Sequence, residues 1–292
     1  AERGFFNNSG LLWAITSGKG LRLYDLSLLD FNSKAVLRGQ IEATVQDVVA
    51  DGTIAYAAYG TGGLGLLDLA TRRAAPPFYG EEVRALYREG NVLFALGQTL
   101  TAWDISTSAS PELLATLPLP ASGRHITSGG KGRLLISLES GLAVVGWDGA
   151  ELHLIGLLTL PGGVDRAVQV GERAYLALHR GGLLVVEVSD PTHPLSLFSY
   201  TSPSGQFVRD LLLLSADTLL VSWEGGIDVL DVNAPATGPR LIDAPQIAQA
   251  PLLDMALSAD GSRAALALGT EGVLLLDISP DGAFQTVGFV DT

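Results

Sequence analysis

One six-residue phrase recurs seven times along this chain of 292 residues, and its recurrence constrains the fold more than any other feature. The phrase is Gly, a branched apolar residue, three mostly apolar residues and then an acid. It occupies 20–25, 63–68, 99–104, 141–146, 182–187, 226–231 and 272–277. Its copies lie about 42 residues apart on average; six of the seven open on Gly, and five close on Asp. A constant period in this range marks a chain built from one supersecondary unit repeated around or along an axis.

Each copy has the same neighbours. Upstream lies a small apolar run, at 12–16, 54–58, 92–96, 134–138, 174–178, 219–223 and 264–268. Before it comes a turn such as Asp51-Gly52, Glu89-Gly90-Asn91, Gly171-Glu172 or Asp260-Gly261, and before the turn another apolar run. Downstream come turns such as Ser189-Asp190-Pro191 and Ser279-Pro280-Asp281-Gly282, then a fourth run at 113–117, 154–158, 195–200 and 284–290. Runs of five or six residues bounded by Gly and Asp read as strands rather than helices. The phrase and the run before it are apolar on both faces, as strands packed between two sheets must be, which accounts for a mean hydropathy of +0.33.

Four strands per repeat predict an all-β, seven-bladed β-propeller with four antiparallel strands per blade. The repeat predicts a single domain over 1–292, with blades at about 1–42, 43–80, 81–121, 122–162, 163–205, 206–248 and 249–292. The chain opens on a first strand, 2–6, and ends on a fourth, 284–290, so the last blade is expected to close on the first without a shared strand.

The segment 174–194 contains Ala174-Tyr175-Leu176-Ala177, then Gly182-Leu183-Leu184-Val185-Val186-Glu187-Val188-Ser189-Asp190-Pro191-Thr192-His193-Pro194. It resembles the LVIVD-repeat family of bacterial and archaeal propellers. The resemblance is sharp in the fifth repeat and extends weakly over the chain. It implies a surface-exposed or secreted protein, often attached to a larger one, without a common catalytic activity. Other propeller patterns fit less well. The WD40-like dipeptide Trp103-Asp104 occurs once with no preceding Gly-His, and Ser258-Ala259-Asp260-Gly261 resembles a lactonase-type turn but also occurs once.

Charge and composition exclude several functions. Eighteen basic residues face 31 acidic ones, a net charge of −13, with no basic cluster. Nucleic-acid binding and attraction to anionic membranes both need such a cluster. There is no cysteine, so disulfides and thiolate chemistry are excluded. The longest uncharged apolar stretch, 154–164, is too short and too interrupted by Gly and Pro to span a bilayer. No cofactor is implied, because no phosphate loop, dinucleotide fingerprint or Gly-x-Ser-x-Gly occurs. No metal site is implied, because His125, His153, His179 and His193 lack ligand spacing and no calcium loop is present. The chain starts at Ala1 rather than Met, which suits a cleaved secretory signal or an excised domain, and with the family resemblance this places it outside the cytoplasm.

Two polar positions recur. The closing acids Asp25, Asp68, Asp104, Asp231 and Asp277 could line one face, but a carboxylate there also caps the turn that follows. The second position opens the innermost strand: Arg3, Asp47, Arg84, His125, Arg166, Arg209 or Asp210, and Asp254. In a propeller these side chains would surround the mouth of the central channel. They could bind a polar ligand, or neutralise one another in a ring between blades. Trp13, Trp103 and Trp147 read as core, and Trp223, beside Glu224-Gly225, as the aromatic best placed for an interface.

No catalytic constellation stands out. The sequence therefore points to a non-enzymatic scaffold subunit that recognises another protein or a larger assembly through its loops and channel mouth, its oligomeric state open. The alternatives are a carbohydrate-binding module and a channel-mouth hydrolase or lyase using Asp47, Arg84, His125, Arg166 and Asp254.

Overall fold

The protein is an all-β propeller with four antiparallel strands to a blade. The computed structural model describes residues 3–6, 12–16, 20–25, 36–107, 110–202, 207–223, 226–233, 238–245, 252–258, 260–279 and 283–290. The side chains of Arg3, Trp13 and Asp25, the pair Glu224-Gly225 and the turn Pro280-Asp281-Gly282 lie outside the described residues.

Seven four-stranded sheets are formed, each from consecutive strands; the second ends in a strand of only two residues, Arg73–Ala74. The innermost strands, in chain order, are Arg3–Phe6, Asp47–Asp51, Ala85–Glu89, Gly123–Gly130, Arg166–Val170, Leu211–Leu213 and Asp254–Leu257. Arg3–Phe6 lies beside Asp254–Leu257 while belonging to a different sheet, so first and last sheets meet by packing. The recurring phrase forms the third strand of every sheet, from Gly20–Asp25 to Val273–Ile278. Between third and fourth strands the register slips by one residue at a repeated place, as at Ala102/Trp103, Val144/Val145 and Val185/Val186. Such bulges add the twist that each blade needs.

The core lies in slabs between successive sheets. Phe94, Leu96 and Leu100 of the third sheet meet Ile126, Ile136 and Val145 of the fourth, all fully or nearly fully buried. Tyr175, Leu183 and Val185 of the fifth meet Leu219, Val221 and Trp223 of the sixth in the same way. Middle strands bury residues on both faces because a neighbouring sheet stands on each side, and each such Leu or Phe stabilises the fold by roughly 1.5–3 kcal/mol. Trp223 is therefore core, at 0% exposure, and not the interface aromatic expected from its glycine-rich neighbourhood.

The glycine that opens the phrase has a steric reason. Gly63 and Gly141 have φ of 88° and 142°, and a Cβ on either would collide with a backbone carbonyl, that of Tyr79 or Leu158. At Gly141 the chain turns directly under the end of the fourth strand, and at Gly63 under the segment that follows it, so only glycine fits at either.

The closing aspartates cap turns. Asp68 Oδ1 accepts the N–H groups of Ala70 and Thr71 at 2.9 and 2.8 Å, Asp104 that of Ser106 at 2.8 Å, and Asp231 that of Asn233 at 2.9 Å. These donors hold all three carboxyls below the usual carboxylate range. The fourth repeat, which ends its phrase on Gly146, moves the cap to Asp148, whose Oδ1 accepts from Ala150 and Glu151. Asp277 differs, pairing with Arg263 at 2.9 Å.

Candidate functional site at the channel mouth

The inner strand of a blade has one edge bonded to its own sheet and one edge turned to the channel. Its outward N–H groups need acceptors. Asp47 and Asp210 supply them in the same way. Asp47 accepts from Val48 of its own strand at 2.9 Å and from Leu86 of the next sheet at 2.8 Å. Asp210 accepts from Leu211 at 2.8 Å and from Met255 of the next sheet at 2.6 Å. Each is a clasp between two sheets. Asp47→Ala should lower stability by about 2 kcal/mol, the cost of leaving two backbone donors without their acceptor, and the shift is readable as a lower urea midpoint.

Arg166 joins three sheets. Its Nη1 lies 2.7 Å from Asp210 Oδ1 and 2.8 Å from Asp254 Oδ1. The two carboxylates are buried, their side chains 1% and 8% exposed, while Arg166 keeps 23%. Burial alone would favour a neutral Arg166, but Asp210, Asp254 and Asp47 together outweigh it and raise its pKa. Asp210 has the opposite balance. Burial pushes its carboxyl up to about 7 against the pull of Arg166, and the nearby Asp254 adds to the rise. Carboxylates around one cation raise Arg166, whereas burial and the neighbouring carboxylate raise Asp210 in spite of that cation.

Other expected mouth residues are distributed around this centre. Arg84 pairs with Glu82 at 2.9 Å and with Glu139 of the fourth sheet at 3.0 Å; its bond to the Glu82 carboxylate leads the causes that raise its pKa. Of the expected residues, Asp47, Arg84 and Asp210 do not line the cavity at the mouth. Arg124, His125, Asp165, Arg166, Arg209, Leu253 and Asp254 line a cavity of about 280 Å³ at the mouth. Arg124 pairs with Asp165 across two sheets at 2.6 Å. A larger cavity, about 650 Å³, opens at the other end of the sixth and seventh sheets; its lining carries Asp243 and Asp260 but no cation. Among the described residues no three His, Asp or Glu side chains group to hold a metal ion.

Sequence reasoning placed His125, Arg166, Arg209 and Asp254 at this cavity. It missed Arg124 and Asp165, the partners next in sequence to His125 and Arg166. Their signal was present: Arg124-His125, Asp165-Arg166 and Arg209-Asp210 are consecutive polar pairs at the start of inner strands. It also missed Asp228, fully buried in the sixth sheet, whose Oδ2 accepts the Tyr200 hydroxyl at 2.9 Å. Burial and then that bond raise the Tyr200 pKa. Asp228 takes the third position of the phrase, where most repeats are apolar or small but the first carries Arg22 and the third Thr101.

Comparison with known proteins fits the fold. The LVIVD repeat family model matches residues 162–202, which include the whole fifth sheet. No curated protein matches the chain in sequence. Among solved structures, a protein from Lactobacillus plantarum is similar at 14% identity, with a TM-score of 0.75 and 96% of each chain covered. The periplasmic gluconolactonase of Pseudomonas aeruginosa is similar at 15% identity and TM-score 0.71, over 97% of this chain and 96% of that one. A Bacteroides uniformis protein provisionally named a 6-phosphogluconolactonase is similar at 15% identity and TM-score 0.72, over 96% of each chain. At these identities the likeness shows the fold alone. It nonetheless corrects the expectation of a non-enzymatic scaffold. Solved propellers of this shape include a gluconolactonase, so a missing catalytic motif does not make such a chain a passive platform.

Proposed function

We propose that this propeller is a hydrolase whose site is the channel mouth and whose substrate is a small cyclic ester. The observation that carries this reading is the mouth cavity, where three guanidiniums, two carboxylates and an imidazole surround one space. The likeness to a gluconolactonase supports the choice of a lactone. We read each four-stranded sheet as one blade, giving seven in a single domain.

Asp254 is the residue we assign as general base. Arg166 fixes one of its oxygens at 2.8 Å, so the carboxylate is oriented on the cavity wall. A water beside it would lose its proton to the carboxylate as its oxygen bonds to the lactone carbonyl carbon. Collapse of that adduct breaks the ring C–O bond, and the ring oxygen leaves with a proton as a hydroxyl. The product is an open hydroxy acid. Arg124, which lines the same space, would steady the negative charge that develops on the carbonyl oxygen. His125 lines the same space and can carry the proton to the leaving oxygen.

The test is proton release from D-glucono-1,5-lactone in a pH-stat. The native protein is expected to exceed the uncatalysed rate, and Asp254→Asn to lose about 10²–10⁴-fold of the acceleration while keeping a native circular-dichroism spectrum. A native rate equal to buffer across a set of five- and six-membered sugar lactones would end this reading.

A further inference from the structure

We propose that the rim of the mouth, on the fifth and sixth sheets, binds the anionic group of a small molecule, a carboxylate or a phosphate. The proposal rests on reading the mouth as a small-molecule site and adds the charge of its ligand. Two guanidiniums carry it. Arg209 lines the cavity, is exposed and forms no ion pair among the described residues. Arg180, in the turn His179–Gly181 of the fifth sheet, is likewise exposed and forms no ion pair among them. Its guanidinium lies over the Phe207 ring, 5.6 Å from the centroid. Phe207 stands two residues before Arg209 in the segment that enters the sixth sheet.

These two differ from six other arginines around the channel and blades. Arg84, Arg88, Arg124, Arg166, Arg240 and Arg263 each meet a carboxylate within 3.0 Å. In a chain of net charge −13, two cations on one rim without acidic partners among the described residues are conspicuous. Stacking on an aromatic ring occupies the face of a guanidinium and leaves its N–H edge for an oxyanion. The acids that line the cavity, Asp165 and Asp254, are each already bonded to an arginine of the inner wall. The wall is thus close to neutral and the rim positive. A ligand that presents an anion outward and a neutral body inward fits both, and about 280 Å³ suits a body the size of a monosaccharide.

Isothermal titration calorimetry at low ionic strength tests this with inorganic phosphate and with D-gluconate, on the native protein and on Arg209→Ala, Arg180→Ala and Arg133→Ala. The last removes an arginine at the opposite end of its sheet. At least one probe should bind saturably. Arg209→Ala and Arg180→Ala should weaken it about tenfold or more, as expected for a lost charge-assisted hydrogen bond, and Arg133→Ala should leave it unchanged. Saturation by phosphate alone identifies a phosphate ligand, by gluconate alone a carboxylate, and by both a general anion site. Absence of saturable binding overturns the proposal, as do unchanged affinities in both rim variants or an equal loss in Arg133→Ala. Hydrolysis of a neutral lactone is measured alongside. Anion binding without turnover would remove the hydrolytic reading and keep this one; turnover without anion binding would do the reverse.

Discussion

Arg166→Met should destabilise the protein by about 3 kcal/mol at pH 8, and by clearly less at pH 5. The variant keeps the volume of the side chain and removes the one cation that holds Asp210 and Asp254 together. Two carboxylates that are 1% and 8% exposed then face each other without a counter-charge. Breaking a buried pair from one side costs about 3–5 kcal/mol, and the 23% exposure of Arg166 places this case at the low end. The pH dependence has a definite sign. The Asp210 carboxyl is already pushed up to about 7 by burial, above its ordinary value of 3.8. The folded state therefore holds a proton that the unfolded state has released. Its contribution to stability is complete below about pH 4 and is lost as pH rises through 7. Without Arg166 the rise is larger, so the deficit of the variant grows between pH 5 and pH 8. Urea melts at both values read it directly. A deficit equal at the two pH values would mean that lost packing, not repulsion between the buried carboxylates, is the cause. Adding Asp254→Asn to Arg166→Met should recover part of the loss at pH 8, because one of the two stranded charges is gone.

Gly141→Ala should cost about 3 kcal/mol or more, several times the effect of Gly52→Ala. Both glycines have positive φ, 142° and 63°, so both variants bear backbone strain. They differ in surroundings. A Cβ at Gly52 has nothing within 4 Å, whereas at Gly141 it collides with the Leu158 carbonyl. Strain in such a conformation costs about 1–3 kcal/mol, and forcing atoms into a filled space costs typically another 1–3 kcal/mol. The collision would push the fourth strand, Leu152–Thr159, away from the third, Gly141–Trp147, at their bonded end. Thermal melting of the two variants beside the native protein measures the difference. Equal shifts would show that φ alone matters and that the close approach to Leu158 is slack.

The closing acid of the repeated phrase was legible because its cause is local: the short turn that follows needs a carboxylate to accept its N–H groups. The opening glycine was legible because it recurs with the period, although its cause, a close carbonyl such as that of Leu158, lies across the sheet. The strand runs were legible for a related reason, since a strand packed between two sheets must be apolar on both faces. The mouth was legible only as a set of positions. Asp47, Arg84, Arg166, Asp210 and Asp254 open inner strands as expected, yet their tasks differ. Asp47 and Asp210 clasp backbone, Arg84 ties the third sheet to the fourth, and Arg166 gathers two buried carboxylates from the sixth and seventh sheets. Trp223 shows the same limit from the other side. Its glycine-rich neighbourhood suggests exposure, but the facing sheet covers it completely.

The sequence by itself thus determined the unit, its four strands and its turn chemistry, because each depends on residues within one period of the chain. Tertiary structure alone decided which charges meet. Arg166 and Asp254 are 88 residues apart and come together across the channel, not along a blade. No spacing in the chain encodes that distance; the closing of the ring does. The fold also leaves Arg180 and Arg209 without carboxylate partners among the described residues, while Arg84 and Arg124, which open inner strands of the third and fourth sheets, are paired.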